Sequence, residues 1–135
     1  MSDKDELALI QKIREFRVRK KRKKVAQIEG ARNTLKTKIN QIDEEVNHRK
    51  DVFREEKSEI LTKMKNGPTN VNDFFTLQKK ERLQTKFIAD SRDEQNSLQE
   101  GLIDKRKEHE ESLKDLWSSE KSLIKLEEFI KMESS

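Results

Sequence analysis

Hydrophobic residues recur along this chain at intervals of seven. In the first half Val18, Val25, Ile39, Val46, Phe53 and Ile60 form one row, with Arg32 filling its gap, and Ile28, Leu35 and Ile42 each follow a member of that row by three. Steps of three and four keep a narrow apolar stripe on one side of a helix, and their persistence over several repeats is a coiled-coil heptad. The second half repeats the pattern, with Ile88, Leu102, Leu116, Leu123 and Ile130 in one row and Leu98 and Leu126 in its companion. Ahead of the first row, Leu9, Ile13 and Phe16, with Leu7 and Ile10, follow a different phase. This predicts a stutter near the N-terminus.

The two repeats meet at Asn66-Gly67-Pro68-Thr69-Asn70, which holds the only proline. Glycine accepts the left-handed conformation that closes a helix, and proline after it cannot continue one. Asn70 or Asn72 would cap the next helix, with Asp73 favourable in its first turn. Gly30 and Gly101 are isolated; each costs about 1 kcal/mol against alanine without stopping a helix.

A turn centred near Pro68 makes facing residues add to about 137. Leu7 then meets Ile130, Leu35 meets Leu102, Ile39 meets Leu98 and Ile60 meets Leu77, with Phe53 near Leu83 and Phe87. Ile42 would face Gln95 and Ile28 would face His109. Polar residues in a seam lower stability and fix register. The expected fold is all-α, a single long antiparallel two-helix coiled-coil hairpin over residues 1–135. Helix 1 is expected over about 4–65, the turn over 66–70 and helix 2 over about 71–132.

Composition supports this. Charged residues make up 43% and hydrophobic ones 30%, against about 25% and 45–50% in ordinary domains. Too few side chains are present to fill a compact core, which leaves a disordered chain or long helices burying a stripe. The antiparallel match of apolar positions favours helices. A formal net charge of +4, from 31 basic and 27 acidic groups, gives no diffuse affinity for nucleic acid, so only a local cluster could argue for it. The absence of cysteine argues against a disulfide scaffold and a zinc site. No secretory signal is evident behind the charged start, and no apolar run nears the ~18 residues of a membrane span.

The densest feature is Arg17-Val18-Arg19-Lys20-Lys21-Arg22-Lys23-Lys24, seven basic residues in eight. It reads as a solvated face complementing Glu108, Glu110, Glu111, Asp115 and Glu120 of the other arm, as a collar for a protein partner, or as a nucleic-acid or nuclear-localisation patch. No aromatic residues are interleaved to stack bases, which counts against the last. After the turn, Phe74 and Phe75 point about 100° apart on a helix, so both cannot enter one narrow seam. One is expected to be exposed for docking or folded back over the turn. Trp117, beside Leu113 and Leu116, reads first as packing on a broadened stripe. His48 and His109 lack companion ligands, and no metal or cofactor is expected. No phosphate-binding glycine loop or nucleophile–base set is present, so the chain is not expected to be an enzyme.

A hairpin of this length, with a basic first arm and Phe74-Phe75-Thr76-Leu77 opening the second helix, resembles the FliJ/YscO (SctO) family. These are the central stalk proteins of flagellar and type III secretion ATPases. The resemblance covers the whole chain and is architectural. It implies a non-enzymatic protein of the bacterial cytoplasm, monomeric on its own, at the cytoplasmic face of a secretion apparatus. Its joined termini would enter and stimulate a hexameric secretion ATPase, while the turn end faces an export gate protein, with export chaperones as further partners. Carried onto this chain, the ATPase-binding candidates are Arg17, Arg19, Lys20, Lys21, Arg22, Lys23, Lys24 and Trp117. The gate-binding candidates are Phe74, Phe75 and Leu77. The family's tyrosine contacts have no counterpart, because the chain has no tyrosine. Alternatives are a coiled-coil adaptor or export chaperone binding another protein's helices, a nucleic-acid-associated coiled coil, and an intermolecular dimer of straight helices.

Overall fold

A computed structural model describes residues 3–67 and 71–134. Two α-helices, α1 (Asp3–Asn66) and α2 (Val71–Glu133), pack antiparallel against each other, and no strand occurs among the described residues. Both helices place charge to suit their dipoles. Asp3, Asp5 and Glu6 occupy the first turn of α1 and Lys63 and Lys65 its last, while Asp73 opens α2 and Lys131 closes it.

Gly67 leaves α1 without the expected left-handed turn, since no glycine among the described residues has a positive φ. Asn72 lies inside α2, where its carbonyl accepts a hydrogen bond from Thr76 Oγ1 at 2.8 Å, so it is not the cap. Pro68, Thr69 and the other proposed cap, Asn70, lie outside the described residues. The expected centre of the turn therefore does too.

The chain divides into two compact units, Met1–Thr34 with Leu102–Ser135, and Leu35–Gly101. In the first unit the seam of α1 runs through Leu7, Gln11, Arg14, Val18, Lys21, Val25, Ile28 and Arg32, all buried or half-buried. Its α2 counterpart steps through Leu102, Lys105, His109, Ser112, Leu116, Ser119, Leu123, Leu126 and Ile130. Val18, Val25 and Leu116 form a buried cluster flanked by Leu113 and Leu123. Cross-helix partners Arg14–Ser122, Lys21–Ser119, Arg22–Glu120 and Arg32–His109 add to values from 136 to 142.

The expected stutter is not in α1. Steps of four and three continue unbroken through Gln11 and Arg14, and Leu9, Ile10, Ile13 and Phe16 are left exposed. The reason lies across the seam. Leu116, Leu123 and Ile130 keep the phase of α2 constant there, so α1 must hold the matching phase even where it places polar residues inward. Gln11, Arg14 and Lys21 are long enough to lay their stems along the seam, and two of them reach α2 with their polar ends: Arg14 Nη1 donates to the Ser122 carbonyl at 2.9 Å and Lys21 Nζ to Ser119 Oγ at 2.7 Å.

In the second unit Val46 is fully buried and Leu77 nearly so. Contacts Lys63–Asp73, Lys57–Glu81, Glu56–Lys80, Asp43–Arg92 and Ile39–Gln95 add to values from 134 to 138. Arg49 stacks its guanidinium 4.7 Å from the centre of the Phe87 ring. Here α2 carries the irregularity. Its inward residues step from Phe87 to Ser91 to Gln95 by four and four before Leu98, where a heptad would alternate three and four. That eleven-residue step from Phe87 to Leu98 is a stutter, which locally unwinds a coiled coil.

A polar network sits at this stutter. Arg92 Nη1 donates to Asp43 Oδ1 at 2.6 Å and to Gln95 Oε1 at 2.5 Å. Gln95 Nε2 donates to Asp43 Oδ1 at 2.7 Å and to the Ile39 carbonyl at 3.0 Å. Gln95 thus bonds to Ile39 and Asp43, one turn of α1.

Candidate functional site

The basic run, Arg17 to Lys24, occupies about two turns of α1 and contains Val18, whose burial in the first unit fixes the rotation of the whole segment. Lys21 turns inward and donates to Ser119 Oγ at 2.7 Å. Arg22 pairs with Glu120 at 3.1 Å. Arg17, Arg19, Lys20, Lys23 and Lys24 are exposed and form no ion pair among the described residues. Lys24 does share a shallow cleft with Glu108, Glu111 and Asp115. Glu110 turns instead to Arg106 on its own helix, at 3.5 Å. Internal compensation by α2 therefore reaches only part of the run, because charges that surround a helix cannot all face one neighbour.

Trp117 is 60% exposed and does not pack in the stripe as expected. It directly follows Leu116, which takes the seam position, so its own side chain emerges on the flank of α2. Ile124, seven residues on, and Ile103 are exposed on the same flank. The apolar stripe left outside on α1, comprising Leu9, Ile10, Ile13 and Phe16, was read from sequence as seam. Its surface position is the functional feature that sequence reasoning missed. The signal was present, since these residues are out of phase with Val18 and Val25, but phase alone does not say which set wins the seam.

In the second unit both Phe74 and Phe75 are exposed, at 47% and 58%, rather than one alone. Their rings meet edge to face with centroids 6.1 Å apart, an arrangement that favours the pair. With Val71 beside them, they make an aromatic patch in the first turns of α2. Leu77 does not belong to it. It is 9% exposed and supports the patch from the seam rather than offering itself to a partner.

Two polar groups in the seams bear on electrostatics. In the first unit Arg32 meets His109: Arg32 Nη1 lies 3.3 Å from His109 Nδ1, and Arg32 Nε is buried without a hydrogen-bond partner. In the second, the Gln95 amide and the Arg92 guanidinium, both bonded to Asp43, hold its carboxyl below the ordinary value of 3.8. Among the described residues no group of three or more His, Asp or Glu side chains could hold a metal ion, and no helix is long and apolar enough to cross a membrane. An open cleft of the second unit is lined by Val52, Phe53, Leu83 and Phe87 with charged Arg49, Glu56 and Lys80, and that of the first unit mainly by charged side chains. What the arrangement offers is binding through exposed charge and exposed aromatic surface.

Comparison with protein-family models, with curated proteins and with solved structures returns no match.

Proposed function

We propose that this chain is the non-enzymatic central stalk of a bacterial type III secretion ATPase, acting in the cytoplasm at the cytoplasmic face of the secretion apparatus. The first unit inserts into the pore of the hexameric ATPase and stimulates it. The start of α2, with Phe74 and Phe75, engages the export gate protein, and export chaperones are further partners. The observation that carries the reading is the presence of two unlike surfaces, one in each unit. Five cations of the basic run have no ion pair among the described residues of the first unit, and an exposed aromatic pair stands in the second.

The physics suits a stalk. A part that meets several similar subunits in turn is better served by exposed charge, which forms modest and reversible contacts, than by one deep apolar anchor. Cations displayed around the helix can find acidic side chains on each subunit of a ring.

Affinity purification from the native cell tests the proposal, and the expected result is co-purification of a hexameric ATPase whose turnover the pure chain stimulates. Charge reversal at Arg17, Arg19 and Lys20 is expected to abolish that stimulation while leaving the helical content intact. Retained stimulation would remove the basic run from the interface. Capture of a secretion substrate or its chaperone, with no ATPase and no stimulation, would assign the chain to the adaptor class instead.

A further inference from the structure

The heptad phase places a surface on α1 that neither the hairpin nor the charge of the basic run accounts for. With Val18 and Val25 at position a, Leu9 and Phe16 fall at f and Ile13 at c, on the side of α1 turned away from α2, and Ile10 falls at g on the adjoining flank. Their exposures run from 40% to 57%. The same three letters continue as Arg17 at g, Lys20 at c and Lys23 at f. One face of α1 is therefore apolar for two turns and cationic for the next two, and its three cations have no ion pair among the described residues.

We propose that this face of α1, from Leu9 to Lys23, receives a third helix contributed by a protein partner, one half of it apolar and the other half acidic. The occupant lies along α1 and completes a local three-helix bundle within the first unit. The inference goes beyond the stalk reading and stands apart from it, because any protein carrying such a helix can fill the face.

Three arguments select this occupant. Large apolar side chains at i, i+4 and i+7, here Leu9, Ile13 and Phe16, are the anchor spacing by which one helix grips another. Charge complementarity requires acidic groups opposite Arg17, Lys20 and Lys23, which the second helix of the chain does not supply. The order of the two halves then rules between the remaining candidates. A second copy docking by the same face in parallel would set these cations against one another. A helix lying on an anionic bilayer carries its cations flanking the apolar stripe, so that their stems rise to the headgroups. Here they follow the stripe along the axis. Duplex DNA would use the cations and leave the apolar half in water.

Two labelled synthetic helices of about 18 residues, long enough to span the face, provide the test. One is leucine-rich in its N-terminal half and glutamate-rich in its C-terminal half; the other has the halves reversed. Fluorescence anisotropy with the full chain is expected to show that one of them binds, which also sets the direction of the docked helix. Leu9→Ser with Phe16→Ser should weaken binding at least about tenfold. Independently, Arg17→Glu with Lys20→Glu should weaken it and flatten its salt dependence. All four positions are exposed, so circular dichroism should report unchanged helix. Binding of neither peptide, or equal binding by both variants and the parent, would overturn the proposal. So would peptide binding that is absent while the chain binds phosphatidylglycerol vesicles, or a dimer in sedimentation that Phe16→Ser dissolves.

Discussion

Val18, Val25 and Leu116 close the first unit with hydrocarbon, whereas at the matching depth of the second unit Asp43, Arg92 and Gln95 bond to one another and to a backbone carbonyl. The same two helices thus solve one problem in two ways. Where both helices keep a seven-residue period, apolar residues meet at the Val18, Val25 and Leu116 level, and the polar residues that share this seam, Lys21 with Ser119 and Arg32 with His109, contact one another singly rather than as a network. Where α2 takes its eleven-residue step, the local unwinding turns Ser91 and Gln95 inward, and both are buried. A buried amide is tolerated only if it is bonded, and the network supplies those bonds. The contrast teaches that the polar residues of this seam are of two kinds. Gln95 is satisfied, while Arg32 in the first unit keeps an orphaned Nε.

The sharpest way to break the comparison is to place a charge in each seam. Val46→Asp buries a carboxylate in the fully buried position of its seam and is expected to cost about 3 kcal/mol or more, whereas Val18→Asp, with Arg14 and Lys21 beside it in the seam, is expected to cost less. Because the two units are compact separately, urea unfolding followed by hydrogen exchange should show the loss concentrated in the substituted unit. Uniform loss of protection in both would mean that the units unfold as one.

The polar contact of the first unit gives the next largest effect, and of opposite sign. Joint replacement of Arg32 and His109 by leucine removes an incompletely bonded cation and fills the seam. The expected outcome is a gain of about 1–3 kcal/mol in chemical denaturation. His109→Ala alone should destabilise, since it leaves the Arg32 guanidinium without its acceptor.

The smallest effect is visible only through pH. The folded chain holds the Asp43 carboxyl below its ordinary value, so the unfolded state takes up its proton first as acid is added. The contribution of Asp43 to stability is therefore complete above about pH 4, near the carboxylate value of unfolded chains, and is lost as pH falls through the folded value. Asp43→Asn should remove this part of the acid dependence and leave the neutral-pH unfolding of the first unit unchanged. An unaltered acid profile would show that the network does not couple to folding.

How much was legible in advance differs between the two candidate surfaces. The basic run was readable because seven cations in eight residues must surround a helix whatever its rotation. Its degree of compensation was not, because that depends on which α2 carboxylates come within reach, and only Glu120 does so as an ion pair. The exposure of Phe74 and Phe75 followed half-way from the 100° step between neighbours. That step places one of them outside, but not both; the seam position of Leu77 was legible separately, from its pairing with Ile60 about the midpoint.

By itself the sequence determined the two helices, the break between Asn66 and Val71, their antiparallel pairing and the rows that pack in the middle of each arm. These follow from local rules: periodicity, the scarcity of helix breakers and the matching of apolar positions about a midpoint. Only the tertiary structure decided the rotation of each helix where two apolar phases compete. Leu9, Ile13 and Phe16 form as good a stripe as Leu7, Gln11 and Arg14, and taken alone a better one. They face outward because the seam is shared, and the unbroken row of Leu116, Leu123 and Ile130 on α2 dictates the phase that α1 must keep. The facing of a residue in a coiled coil belongs to the pair of helices, and a single helix carries only half of that information.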